Sequence, residues 1–85
     1  MKISYLEDTK LSIKEKGLVI LCHHLYKYHK VSPTLANIIP LCTDGEASIL
    51  SGLKRIKDLG YLEREKTHAH GHFNYSYETN LEREI

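Results

Sequence analysis

The sequence has no tryptophan, one phenylalanine and one methionine, and only two cysteines and two prolines among its 85 residues. No run approaches the roughly 18 apolar residues that a membrane-spanning helix needs, and the N-terminal stretch lacks the apolar core of a signal peptide. Cys22 and Cys42 lie in apolar stretches, and neither belongs to a CxxC pair. We therefore expect no membrane partner, no disulfide and no zinc knuckle, but free buried thiols in a reducing cytosol and a cytoplasmic protein.

A strong charge of one sign is also lacking. Twelve basic and 11 acidic residues leave a net charge of +1, far from the basic balance of many DNA-binding domains. The basic residues are nevertheless unevenly placed, because several gather in one short segment: Lys54, Arg55, Lys57, Arg64 and Lys66. This segment is a weak electrostatic footprint of a nucleic-acid partner.

Catalytic signatures are missing as well. No nucleophile–base pair, phosphate-binding loop or pair of carboxylates stands out in the sequence. A chain of this length allows one small domain with one modest core and leaves little room for a deep pocket. We therefore expect neither an enzyme nor a protein with a cofactor.

The first helix is predicted over about residues 13–28. Ser12 followed three residues later by Glu15 is a capping box, in which each side chain satisfies a backbone N–H at the helix start. Apolar residues then recur at helical spacing and predict a buried stripe: Leu18, Leu21, Cys22 and Leu25. Gly17 lowers the helix propensity, so we expect it to mark a close approach of another backbone.

The second helix is predicted to be only about two turns long. Ser32 is a suitable N-cap, Pro33 fits the first helical position, and Pro40 stops the helix. Thr43 and Glu46 form a second capping box, which predicts a third helix over about residues 44–59.

The third helix carries a core stripe and ends at a glycine. Ile49, Leu53 and Ile56 recur at helical spacing, and Gly52 permits close contact with a neighbouring helix. Gly60 is a typical C-terminal stop.

From Tyr61 onward the apolar period changes from about 3.6 to 2. "YLEREK" places Leu62, Arg64 and Lys66 on one face, and "FNYSYET" alternates in the same way around three aromatic residues: Phe73, Tyr75 and Tyr77. Two alternating runs around a polar loop with Gly71 predict a β-hairpin, in which the tyrosines serve packing rather than base stacking. Residues 81–85 carry no pattern, so we expect a domain over residues 1–80 and a frayed tail.

Three helices followed by a two-stranded hairpin predict an α+β fold, mainly α, of the winged helix-turn-helix type. In that arrangement the third helix lies in the DNA major groove and the hairpin is a wing on the backbone or minor groove.

Four stretches resemble, in order, the winged helix-turn-helix domains at the N-terminus of phage and plasmid replication initiators and replisome organisers. They are "LSIKEKGL", "VSPTLANII", "DGEASILSGLKRIKDLGYLERE" and "GHFNYSYET", and the resemblance covers about residues 3 to 79. The matching residues are mostly core and turn positions: Leu11, Ser12, Lys14, Lys16, Gly17, Leu18, Asp44, Gly45, Leu53, Gly60, Tyr61, Leu62, Gly71 and Phe73. Ile56 stands where leucine is usual, Gly52 replaces the usual alanine, and the helix 3 face is less basic than is typical.

The resemblance implies a sequence-specific binder of double-stranded DNA, either at a replication origin or as a small phage- or plasmid-type transcriptional regulator. The C-terminal domain of the larger relatives is missing, so the chain would be either free-standing or a domain of a longer protein. A homodimer and a protein partner in a replication or regulatory complex both stay open.

Candidate DNA-binding residues follow from the predicted faces. On helix 3 the exposed positions are Glu46, Ala47, Leu50, Ser51, Lys54, Arg55 and Lys57, and on the wing they are Arg64, Lys66, His68, His70 and His72. Ser51 can bond several bases, Arg55 prefers guanine, and Leu50 or Ala47 can meet a thymine methyl group. Lysines would serve phosphates. A solvated helix face is the alternative, and Glu46 favours it because a carboxylate repels phosphate.

The remaining histidines do not predict a metal site. Alternating residues such as His68, His70 and His72 share a strand face but are too widely spaced for three-way chelation. His24 and His29 are five residues apart, which is not the i, i+4 spacing of a helical metal pair. We expect a polar wing tip and surface histidines, and no metal.

A protein-interaction module without direct DNA binding is the competing hypothesis. Winged helices also serve as docking surfaces, and a fold does not dictate a function. The near-neutral net charge, Glu46 and an exposed Leu50 favour this alternative.

Overall fold

The computed structural model describes residues 1–69 and 71–85, with the side chains of residues 67, 69 and 72–74 left out of the description. Within these residues the chain forms three α-helices and two antiparallel two-stranded sheets. The elements are β1 (Lys2–Ser4), α1 (Ile13–His23), α2 (Leu35–Ile38), α3 (Glu46–Asp58), β2 (Leu62–Ala69), β3 (His72–Thr79) and β4 (Glu82–Glu84). The predicted α+β class with three helices and a hairpin is confirmed. None of the described helices has the length and apolar character to cross a bilayer.

Helix α1 begins at the predicted capping box. The Ser12 hydroxyl accepts a hydrogen bond from the Glu15 N–H at 3.2 Å, and the Glu15 carboxylate accepts one from the Ser12 N–H at 2.8 Å. After His23 the chain continues as a π-helical turn over His24–Tyr28. The predicted helical extent to Tyr28 is therefore confirmed, but its last turn is wider than an α-helix.

Helix α2 is shorter than predicted and starts later. Its N-cap is Thr34 rather than Ser32, and it passes at Ile39 into a 3₁₀ turn that contains Pro40. The reason lies in the Ser32 carbonyl, which accepts bonds from the Thr34 N–H at 2.8 Å and from the Asn37 side-chain amide at 2.8 Å. This tight turn keeps Pro33 outside the helix.

Helix α3 lacks the capping box that Thr43 and Glu46 were predicted to form. Its N-cap is Gly45, with no side-chain cap. Glu46 is thus the first helical residue, not the third, and cannot reach back to the cap. The stop at Gly60 is confirmed: φ is +92°, a left-handed conformation that glycine adopts without strain.

The core lies between α1, α3 and the base of the hairpin. Its apolar members are Leu11, Leu18, Val19, Cys22, Leu25, Ile38, Ile49, Leu53, Ile56, Tyr61, Leu62 and Tyr77. Gly52 brings α3 onto α1 as predicted, because a Cβ at this position would collide with Leu18 Cδ1. The matching prediction for Gly17 is wrong: a Cβ there would meet nothing within 4 Å. Both cysteines are free; Cys22 is buried and Cys42 half-buried.

The hairpin pairs β2 with β3, as the two alternating runs predicted, and the structure gives its register. Arg64 lies opposite Tyr77, and Lys66 lies opposite Tyr75. Gly71, with φ of +79°, supplies the left-handed residue of the turn.

The C-terminal residues differ from the frayed tail that was predicted for 81–85. Strand β4 pairs with β1, and Ile3 lies opposite Arg83. The Arg83 guanidinium donates to Asp8, whose carboxylate is only 1% exposed and also accepts a hydrogen bond from the Tyr61 hydroxyl at 2.7 Å. Bonding to Arg83 holds the pKa of Asp8 well below its usual range. The tail is therefore part of the folded unit.

Candidate nucleic-acid interface

A groove of about 450 Å³ lies between α3 and the hairpin, and residues at the start of α2 also line it. Residues from all three elements line it: Pro33, Thr34, Leu35, Leu50, Leu53, Lys54, Lys57, Asp58, Arg64 and Tyr77. Leu50, Lys54 and Lys57 reach it because residues three and four apart share one face of a helix. Candidate residues on helix 3 and on the hairpin thus belong to one concave surface.

The charge of the groove is positive. Lys54 and Lys57 come from α3 and Arg64 from β2, whereas Asp58 supplies an opposing carboxylate. Three cations around one concave surface raise the local concentration of an anionic ligand, although the net charge of the chain is small.

Tyr77 fixes the hairpin against the helices at this groove. Its side chain is buried, and its ring packs edge-on against Tyr26 with 6.0 Å between ring centroids. Because Tyr77 lies directly opposite Arg64 in the sheet, this anchor also determines where the guanidinium stands relative to α3. The prediction of packing roles is confirmed for Tyr61 and Tyr77, which are buried, but not for Tyr75, which is 47% exposed.

The two faces of the hairpin carry opposite charges. Arg64, Lys66 and His68 alternate along one face, and Tyr75 on the neighbouring strand lies under the Arg64 guanidinium, 4.9 Å from it to the ring centroid. The other face carries carboxylates and a hydroxyl: Glu63, Glu65, Ser76 and Glu78. Exposed Tyr75 is thus a cation–π partner. The basic face is the one that continues from the groove.

Arg55 does not reach the groove. Its guanidinium Nη2 donates to the Lys10 carbonyl at 2.9 Å, and its Nε lies 3.7 Å from a Glu15 carboxylate oxygen. The side chain therefore spans the gap from α3 to the start of α1. Lys14 makes a similar link, since its ammonium donates to the Ser48 carbonyl at 3.2 Å. Arg55, predicted as a guanine reader, is engaged within the protein.

The first turns of α3 are exposed, as the helical period predicted. Glu46, Ala47 and Ser51 are exposed without lining the groove, and Leu50 is 49% exposed at its wall. The Ser51 hydroxyl donates to the Ser48 carbonyl at 3.1 Å, so its proton is used within the helix while its lone pairs stay available.

The histidines with described side chains are His68 on the hairpin and three along the first helix and its end. His68 is exposed on the basic face, His70 lies outside the described residues, and the side chain of His72 is also outside the description. Among the described residues no group of three or more His, Cys, Asp or Glu side chains is placed to hold a metal. His24 and His29, however, have their Nε2 atoms 3.0 Å apart, a contact that their spacing did not predict.

Some groove residues were not predicted from the sequence. Pro33, Thr34 and Leu35 were assigned only to helix 2, and Asp58 and Tyr77 were not placed at the site. The helical period placed Asp58 beside Lys57 on the exposed side of helix 3, and Tyr77 was predicted only to pack in the hairpin.

No family profile, no curated protein and no solved structure matches this chain. What the groove binds must therefore follow from its own chemistry. Its cations, its half-exposed leucine and the projecting turns of α3 suit a polyanion with apolar groups within reach, and lysine and arginine are the usual partners of phosphate.

Proposed function

We propose that the chain is a winged helix-turn-helix protein that binds double-stranded DNA sequence-specifically. Helix α3 enters the major groove, and the hairpin acts as a wing on the backbone. The observation that carries the proposal is the convergence of Lys54, Lys57 and Arg64 on one groove between these two elements. The resemblance to replication initiators and replisome organisers favours two roles, replication-origin binding and transcriptional regulation.

Within this proposal, phosphates and bases are contacted by different residues. Lys54, Lys57 and Arg64 neutralise phosphates and determine affinity. Leu50 offers an apolar contact to a thymine methyl group, and Ser51 accepts from a base amino group. Both lie in the first two turns of α3, which are the turns that reach base edges in helix-turn-helix proteins.

Arg55 has a different role in the proposal. Because its guanidinium already bonds the Lys10 carbonyl and lies beside Glu15, it holds α3 at its angle to α1. Reading a guanine would require breaking these contacts. The proposal therefore assigns positioning to Arg55 and recognition to its neighbours.

The basic face of the hairpin completes the surface. Arg64, Lys66 and His68 alternate along it, while Glu63 and Glu65 project from the opposite face. A duplex that follows the groove onto the hairpin thus meets the cations Arg64 and Lys66, and the carboxylates point away from its phosphates. Because the positive and negative side chains lie on different faces of the hairpin, the face toward the duplex is basic although the net charge of the chain is only +1.

The test compares two triple variants with the same loss of charge. Lys54→Gln/Lys57→Gln/Arg64→Gln removes the groove cations, and Lys2→Gln/Lys10→Gln/Lys27→Gln removes exposed cations elsewhere. Each neutralised phosphate contributes about 0.9 to the slope of log affinity against log salt, so three contacts give about 2.7, or about 40-fold in affinity between 50 and 200 mM salt.

Fluorescence anisotropy with random duplex DNA at several salt concentrations measures both slopes. We expect the groove variant to lose about 2 to 3 from the wild-type slope and the control to keep it. Equal loss in the two variants would mean that net charge, not the groove, drives binding. Salt-sensitive binding justifies selection of a preferred site from random duplexes, and a palindromic site would indicate a homodimer.

A protein-docking role is the second candidate. Apolar side chains flank a second groove of about 380 Å³ beside α1, where Ile13 is 86% exposed. Leu50 adds an exposed apolar contact on α3. Failure of the wild-type protein to bind any duplex at low salt would favour this role over DNA recognition.

A further inference from the structure

The C-terminal end of the first helix brings two imidazoles together. The Nε2 atoms of His24 and His29 lie 3.0 Å apart, with the rings at 71° and their centroids 4.7 Å apart. In an α-helix, residues five apart are rotated by about 140° and cannot meet in this way. Here His24–Tyr28 is a π-helical turn, whose larger number of residues per turn brings positions i and i+5 close to one face.

The two rings are hydrogen-bonded at this separation, which also matches two ligands of one metal ion that displaces the shared proton. Imidazole nitrogens bind such ions at about 2.0–2.1 Å, so two of them at right angles are about 2.9 Å apart and two at a tetrahedral angle about 3.4 Å apart. The observed 3.0 Å is close to the right-angled value. Tetragonal coordination, with adjacent ligands at right angles, is typical of Cu²⁺ and Ni²⁺.

The surroundings of the pair also suit a bound cation. It lies at the C-terminal end of a helix, where the backbone carbonyls and the helix dipole favour positive charge. The Tyr28 ring lies beside that of His24, with 5.6 Å between the ring centroids. Both histidines are exposed, so coordination positions beyond the pair are open to water.

Lys27 and Lys30, on the same segment, carry positive charges that oppose the binding of a cation by the pair. The Lys27 ammonium lies 3.3 Å from the Glu78 carboxylate, and the Lys30 ammonium donates to the Lys27 carbonyl at 3.4 Å. Glu78 thus offsets the charge of Lys27.

We propose that His24 and His29 form a two-histidine site for a divalent transition metal, with Cu²⁺ bound most tightly and water in the remaining positions. The order of affinity follows the general preference of nitrogen ligands, in which Cu²⁺ exceeds Ni²⁺ and Zn²⁺. Neither histidine lines the groove between α3 and the hairpin, so the site does not depend on DNA binding.

Calorimetric titration with Cu²⁺ tests the site in three proteins besides the wild type. His24→Gln and His29→Gln each remove one ligand, and His68→Gln/His70→Gln/His72→Gln removes the hairpin histidines but keeps the pair. Loss of one of two linked ligands removes the benefit of chelation, so we expect the single variants to bind Cu²⁺ at least about tenfold more weakly. The hairpin variant should keep wild-type affinity for one equivalent per chain. Wild-type affinity in both single variants, or its loss in the hairpin variant alone, would overturn the proposal.

A second measurement avoids any dependence on how the variants fold. Cu²⁺ is paramagnetic and broadens the NMR signals of the rings that bind it. In the wild-type protein at substoichiometric Cu²⁺ we expect the signals of the His24 and His29 rings to broaden first. Sharp signals from these two rings, with broadening at the hairpin histidines, would place the metal elsewhere and refute the assignment.

Discussion

Replacement of Asp8 by alanine should destabilise the protein far more than loss of any exposed carboxylate. The Asp8 side chain is almost fully buried and accepts hydrogen bonds from the Arg83 guanidinium, the Tyr61 hydroxyl and the Lys10 N–H. These donors come from three distant parts of the chain. Asp8→Ala removes their shared acceptor in one step.

The loss of stability in Asp8→Ala follows from the hydrogen bonds that its donors lose. The buried Tyr61 hydroxyl would be left without this acceptor, which costs about 1–3 kcal/mol, and breaking a buried charged pair costs about 3–5 kcal/mol. Arg83 can recover some solvation because it lies at the edge of the fold, so about 3 kcal/mol is the expected total. A domain of this size has roughly 4–13 kcal/mol of stability. Since each kcal/mol shifts Tm by about 4–8 °C in small domains, Tm should fall by about 12–24 °C.

Thermal unfolding followed by circular dichroism at neutral pH measures the effect. Glu7→Ala is the matched control, because it removes an exposed carboxylate from the adjacent position and should change stability by less than about 0.5 kcal/mol. Tyr61→Phe should give an intermediate loss, since it removes only the hydroxyl. If Asp8→Ala and Glu7→Ala unfold at the same temperature, the buried cluster does not stabilise the fold and the reasoning fails.

Three other predictions concern pH, packing and thiol reactivity. Bonding within the fold holds the pKa of Asp8 below its unfolded value of about 3.9. The ionised Asp8 therefore contributes its full stabilisation of the fold above that pH, and this stabilisation is lost progressively below it. Tm should fall steeply below about pH 4, and less steeply in Asp8→Asn. Gly52→Ala should cost up to about 2 kcal/mol, because overpacking of the α1–α3 contact costs about 1–3 kcal/mol and the helix propensity of alanine offsets about 0.5–1 kcal/mol of it. Gly17→Ala, which meets nothing, should instead stabilise α1 by about 0.5–1 kcal/mol; urea denaturation gives both values, and equal shifts would contradict the packing argument. Burial raises the pKa of Cys22 to about 12, so mass spectrometry after brief iodoacetamide treatment should find label on half-buried Cys42 and none on Cys22 until urea is added; rapid native labelling of Cys22 would show that the core opens.

Features that depend on neighbouring residues were predictable from the sequence. The Ser12–Glu15 capping box, the core stripe of α3 and the hairpin alternation each involve residues a few positions apart, and all three are present. The capping box at Thr43 failed although its pattern is the same, because the helix begins one residue after Gly45. A local sequence pattern thus predicts that a helix is present more reliably than it predicts the residue at which the helix begins.

Features that depend on distant residues were not predictable. Strands β1 and β4 have three residues each, too few to show an alternation, and their pairing joins opposite ends of the chain. The His24–His29 contact depends on a π-helical turn that no local pattern indicated.

The candidate site shows the same division. Exposure of Lys54 and Lys57 followed from the helical period, and the face of Arg64 followed from the strand period. That Arg55 bonds a backbone carbonyl 45 positions away could not be read from either period. Periodicity indicates which side chains face away from the core, whereas tertiary packing determines which of these can contact a ligand.

The pairing of β1 with β4 also bears on the order in which the protein folds. The Met1 amino group and the Glu84 carboxylate, 3.0 Å apart, are separated by 83 positions, so their contact closes nearly the whole chain into a loop. Closing a loop of this length costs about 4 kcal/mol in chain entropy before any contact compensates it. The helices and the hairpin form over much shorter separations. We therefore expect this sheet to form last and to open first. The hydrogen bonds that join Asp8 to Tyr61 and Arg83 then form in the last step of folding.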